Sequence, residues 1–180
     1  MYRRMSLEIS WTRTAMSIPE EARRGLKERL ERLHTFFPEV RPTMTIGITR
    51  SLDGLAFMAN DGSVKLMVDT HKAKDGSWRY PTYWTLGHEM MHLTQFVTKG
   101  IPGGERACDI YALARLPPRL IDDPPSYLIV PPKIRKMWHD NGRYARLAHD
   151  LAVEAIRRRG KGLRMYAAWW DDEFETRTQG

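Results

Sequence analysis

The chain has 180 residues, 42% of them hydrophobic, a formal net charge of +7 and one cysteine. That length holds one domain with a real core, and no stretch reaches the ~18 consecutive apolar residues of a membrane span. The charged start MYRRMSLEISWTRT lacks the apolar run of a secretory signal, so a cytoplasmic protein is expected, and the lone Cys108 excludes an internal disulfide and a cysteine cluster for metal.

In chain order, Leu7, Ile9 and Trp11 alternate with polar residues and predict a short strand. A change of period follows. Ser17 as cap, Pro19, Glu20 and Glu21 in a first turn, and Ala22, Leu26, Leu30, Leu33 and Phe37 at helical spacing predict a helix that stops before Pro38. TMTIGIT, GLAFMA and VKLMVDT predict three strands, separated by RSLD and by the hairpin signal NDG, hence a small antiparallel sheet over residues 43–70. The stretch HKAKDGSWRYP reads as a polar loop. A helix over about 82–99 is closed by Gly100 and Pro102, and a second runs from Gly103 or Gly104 to Arg115, before Pro117 and Pro118.

The proline-rich RLIDDPPSYLIVPP reads as irregular, and residues 133–162 as one helix kinked or broken near Asn141–Gly142. Residues 133–164 hold ten Lys/Arg against three Asp/Glu, which is the whole of the net charge. A solvated helix face accounts for that surplus without function; a phosphate surface for nucleic acid is the alternative. The tail LRMYAAWWDDEFETRTQG shows no clear period.

Within the helix predicted at 82–99 stands HEMMH. His88 and His92 are four residues apart, so both rings leave one face on adjacent turns, which is what two imidazoles need to reach one tetrahedral Zn²⁺. Glu89 sits one residue round, able to reach a water on that metal without being a ligand. The metal lowers the water's pKa towards ~7, and the carboxylate takes its proton as the water attacks a carbonyl carbon and later protonates the leaving amine. A shuffled chain of this composition shows H-E-x-x-H with a probability on the order of one per cent, and here the required helix is predicted independently. Met90 and Met91 read as core, and Leu86, Met90, Leu93 and Val97 as the apolar stripe that buries the helix.

A catalytic zinc takes three protein ligands and keeps one position open. Glu105 is the first candidate for the third, with Asp109 one turn later to hold a ligand histidine by its N–H. A helix running on to Lys99 would end ~10 Å beyond His92, so Glu105 needs an early stop or a chain reversal at KGIPGG; Asp109 is the fallback ligand and Cys108 a weaker one. His34, His71, His139 and His149 lack ligand spacing.

HEMMH followed by ERACD, a match to E-x-x-x-D, resembles the gluzincin zinc metallopeptidases, and the order helix, three strands, H-E-x-x-H helix, glutamate helix resembles the minimal forms called minigluzincins. The motif likeness covers about residues 82–115 and the architectural one about 17–117. It implies an α+β, zincin-like fold: a small antiparallel or mixed sheet packed on an active-site helix and a following glutamate helix, with a C-terminal helical extension. Residues 1–117 would be the metallopeptidase core. Residues 118–180 lie beyond the likeness and read from their own composition as a proline-rich connection, a basic helical extension and an acidic, aromatic tail packed on the same domain. It further implies zinc on His88, His92 and Glu105, Glu89 as general base and acid, Asp109 supporting a histidine, and a peptide or protein substrate. GLAFMA takes, by position, the place of the strand that pairs with extended substrate. Tyr111, Tyr127 and His139 are the available groups for stabilising an oxyanion, none within a motif. Latency is known among minigluzincins, so WWDDEFE becomes a candidate for a tail that occupies the cleft.

Overall fold

The computed structural model describes residues 6–50, 54–140 and 142–179. The chain forms two compact units, residues 1–99 and 100–180, and the division falls just before the GIPGG stretch. The whole is mixed α and β, with seven α-helices among the described residues.

The first unit is built on a four-stranded sheet in the order β1-β2-β4-β3, formed by β1 (Glu8–Trp11), β2 (Thr43–Ile48), β3 (Gly54–Met58) and β4 (Val64–Val68). In β4 the apolar Val64, Leu66 and Val68 are buried while Lys65 points to solvent, the period-2 pattern of a half-buried strand. Met44 and Ile46 of β2 are buried directly opposite Val64 and Leu66. The sheet is mixed rather than antiparallel: β1 pairs with β2 in parallel, β2 with β4 in parallel, and only β3–β4 is antiparallel. Two parallel strands need a long crossover, and residues 12–42 supply one that contains α1 (Arg13–Met16) and α2 (Glu20–His34). The NDG hairpin forms as expected. Gly62 takes φ +77° and donates its N–H to the Ala59 carbonyl at 2.8 Å. Of the RSLD separator, residues 51–53 lie outside the described residues.

Helix α2 buries Ala22, Leu26, Leu30 and Leu33, each burial contributing about 1.5–3 kcal/mol for the larger side chains. Two details of its ends differ from expectation. Ser17 does not cap it but closes α1, its hydroxyl donating to the Thr14 carbonyl at 2.6 Å, while Pro19 occupies the N-cap of α2. The helix stops at His34, and Phe37 is buried from the turn beyond it. The expected polar loop contains a small hairpin, β5 (His71–Lys72) with β6 (Trp78–Arg79). Then α3 (Tyr83–Val97) packs beside α2 and along β3.

The second unit is helical: α4 (Glu105–Arg115), a 3-10 turn (Pro118–Leu120), α5 (Pro132–Lys136), α6 (Arg143–Gly160) and α7 (Tyr166–Thr178). Ala145, Ala148, Ala152 and Ala155 are buried on α6 at spacings of three and four, and such small residues let α4 and α7 approach it closely. The basic run is broken, one of the two expected forms, into two helices, and Gly142, at φ +66°, turns the chain before α6; Asn141 lies outside the described residues. The tail, whose sequence shows no clear period, forms helix α7. Trp170 and Phe174 stack at 4.7 Å, both fully buried, and the Trp170 indole N–H donates to the Ala148 carbonyl at 3.1 Å. No helix of the described residues is long and apolar enough to cross a membrane.

Candidate metal and catalytic site

Thr82 starts α3: its hydroxyl accepts the Thr85 N–H at 3.0 Å, satisfying one of the donors that a helix start leaves open. Leu86, Met90, Met91 and Leu93 are buried, as their spacing implies, but Val97 at the last turn is 45% exposed and does not continue the stripe. Glu89 is the only residue between Tyr83 and Val97 with a full charge, so the histidines do not stand on a solvated charged face. His88 and Glu89 are each only 8% exposed. A polar cluster sunk this far into an apolar helix is costly unless its groups have partners.

The His88 and His92 rings lie 4.7 Å apart between centroids, edge to face at 86°. His92 Nδ1 is 3.0 Å from the Gln95 amide oxygen, one turn further on. An amide oxygen only accepts, so Nδ1 is the donor in this contact, and a metal on His92 would take Nε2. Gln95 was not singled out from the sequence. Its signal was there, since position i+3 shares the face of His92.

Gly54, also unmarked in the sequence reading, opens β3 against Glu89. A Cβ at this position would lie 2.8 Å from Glu89 Cγ and 3.0 Å from its Oε1. Only a glycine lets the strand backbone pass so near the carboxylate. Gly54→Ala is therefore expected to lower stability by about 1–3 kcal/mol through overpacking, read as a lower urea midpoint at constant m; an unchanged midpoint would mean that Glu89 has room to move. Strand β3 is the last in the sheet order, with Leu55 and Phe57 exposed.

In the second unit α4 carries the other predicted residues. Glu105 is its first residue, after Gly104 at φ +91°, and its charge suits the positive helix start. Cys108 and Asp109 are fully buried. Asp109 is no solvated surface acid: its Oδ2 accepts the Tyr127 N–H at 2.7 Å. Arg106 pairs with the buried Asp171, which also accepts the Ile129 N–H at 2.9 Å. Two carboxylates thus hold the proline-flanked segment YLIV by alternate amides. Of the groups considered for an oxyanion, the Tyr111 hydroxyl accepts from Arg159 at 3.2 Å, while Tyr127 and His139 are exposed.

The remaining histidines have structural partners or face solvent. His34 donates to the Val40 carbonyl at 2.7 Å and His149 to the Leu113 carbonyl at 2.8 Å, whereas His71 lies 3.0 Å from Asp69 and His139 is exposed. No protein-family model, curated protein or solved structure matches the chain.

Proposed function

We propose that the protein is a zinc-dependent metallopeptidase of the gluzincin kind that hydrolyses peptide bonds, with His88, His92 and Glu105 as ligands. The observation that carries this reading is the H-E-x-x-H on α3, with His88 and Glu89 buried and His92 oriented by Gln95 through Nδ1, so that Nε2 is the nitrogen a metal would take. Zinc, when bound, supplies Lewis acidity that brings a water's pKa towards ~7.

The chain's own residues do the rest. Glu89 accepts the proton of the attacking water as the new C–O bond forms, then gives it to the amide nitrogen as the C–N bond breaks, so the carboxylate ends as it began. Gly54 keeps the backbone of β3 against that carboxylate, and an extended peptide pairing with β3 would lie beside the base. Asp109 supports a ligand histidine through its second oxygen in this reading, since Oδ2 is held by Tyr127. Asp109 and Cys108 are the alternatives to Glu105 as third ligand, and all three fall within five residues of α4.

A latent form held by the tail has less to rest on. Trp170, Asp171 and Phe174 are committed to the second unit, and a truncation after Lys161 would remove part of that unit's core. Nor does the basic segment make a phosphate surface by its charge alone. Arg157 and Arg158 grip Glu154, whose carboxyl they pull down to about 2; Arg159 donates to Tyr111, and Arg135 to the Pro125 carbonyl at 2.6 Å.

The test is metal removal. Hydrolysis of a denatured protein such as casein should vanish with a zinc chelator and return on adding zinc; activity that survives full chelation would exclude the reading.

A further inference from the structure

We infer that the second unit holds a binding site for a small phosphorylated ligand, in a cavity of about 660 Å³ lined by Arg119, Arg143, Arg146 and Arg177. The inference is independent of the metal reading. The four guanidinium groups come from three separate elements: the 3-10 turn, the start of α6 and the end of α7. On α6 the residues Arg143, Arg146, Leu147 and Asp150 fall at spacings of three, one and three, so the helix turns a single face to the cavity.

Arg143 and Arg146 sit in the opening turns of an 18-residue helix, where the backbone dipole is positive, with no acid in the first turn and no side-chain cap. Among the residues that line the cavity, arginines outnumber acids four to one, with Asp150 the single carboxylate and Arg177 also paired with Glu173 at 3.0 Å. A phosphate group suits such a cluster, because planar guanidinium forks bind its oxygens in pairs.

The other lining residues narrow the class. The volume falls within the ~300–1,000 Å³ of small-molecule sites. Leu147 offers apolar contact, and Asp150 offers an acceptor for a hydroxyl or N–H. That carboxylate also repels a continuous polyanion threaded through the cavity. A nucleotide or sugar phosphate fits better than a nucleic-acid strand.

The experiment is calorimetric titration of the full chain with pyrophosphate, ATP and a single-stranded DNA of about twenty nucleotides, at low and physiological salt. One-site binding of ATP or pyrophosphate is expected, weakened at least about tenfold in Arg146→Glu and several-fold in Arg146→Gln, which removes the charge without reversing it. Arg158→Glu, on the same helix but held at Glu154, should leave binding unchanged. Circular dichroism confirms that each variant is folded. The proposal is overturned if neither small ligand binds, or if binding is indifferent to Arg146. It is equally overturned if only the DNA binds and Arg158→Glu weakens it as much as Arg146→Glu, which would mean a dispersed basic surface.

Discussion

Glu105→Ala is expected to strip the purified chain of zinc, from about one ion to a small fraction of one by elemental analysis, while Asp109→Asn weakens the metal by about 10–100-fold in chelator competition. The two effects separate a ligand from a support. Without Glu105 the proposed site keeps two neutral imidazoles and no anionic donor, too little to hold the ion through purification. Asparagine at 109 can still accept the Tyr127 N–H through its amide oxygen, so the loss should fall on the metal and not on the fold. Zinc retained by Glu105→Ala but lost from Cys108→Ser would move the third ligand to the thiolate. Zinc retained by both would move it to Asp109, provided that Asp109→Asn then loses it outright. A wild-type chain that stays metal-free after reconstitution would end the metallopeptidase reading.

Glu89→Gln is expected to keep zinc at wild-type stoichiometry and to lose about 10²–10⁴-fold in peptide hydrolysis. Glutamine has nearly the shape of glutamate, so its packing against Gly54 is preserved. Its amide cannot take a proton from water. The loss therefore belongs in turnover rather than in folding or substrate binding, and the melting temperature should barely move. A variant that remained fully active would remove Glu89 from the chemistry even if zinc were present.

The parts of the fold legible in the sequence are those set by neighbours along the chain. Thr82 and Gly104 mark the starts of α3 and α4, and Asp61–Gly62 marks the β3–β4 hairpin, because caps and positive φ are local demands. The parallel pairing of β1, β2 and β4 was not legible. Alternation in VKLMV fixes which face is buried, but it is silent on which strand lies alongside. Helix α7 was missed for a different reason. Tyr166, Trp170 and Phe174 do recur every four residues, but the buried Asp171 breaks the apolar pattern, and its pairing with Arg106 and with the Ile129 N–H explains why an acid sits inside. At the candidate site, His88, Glu89 and His92 were recognisable from spacing on one helix. Gly54 was not, since its role depends on a strand meeting a side chain thirty-five residues away.

Cys108, the one cysteine in the chain, is fully buried on α4. That makes it a clock for opening around α4. A thiol reagent can reach it only when the structure that covers it parts, so the rate of modification in native buffer follows how often that opening occurs, with no engineered label and no background from other thiols.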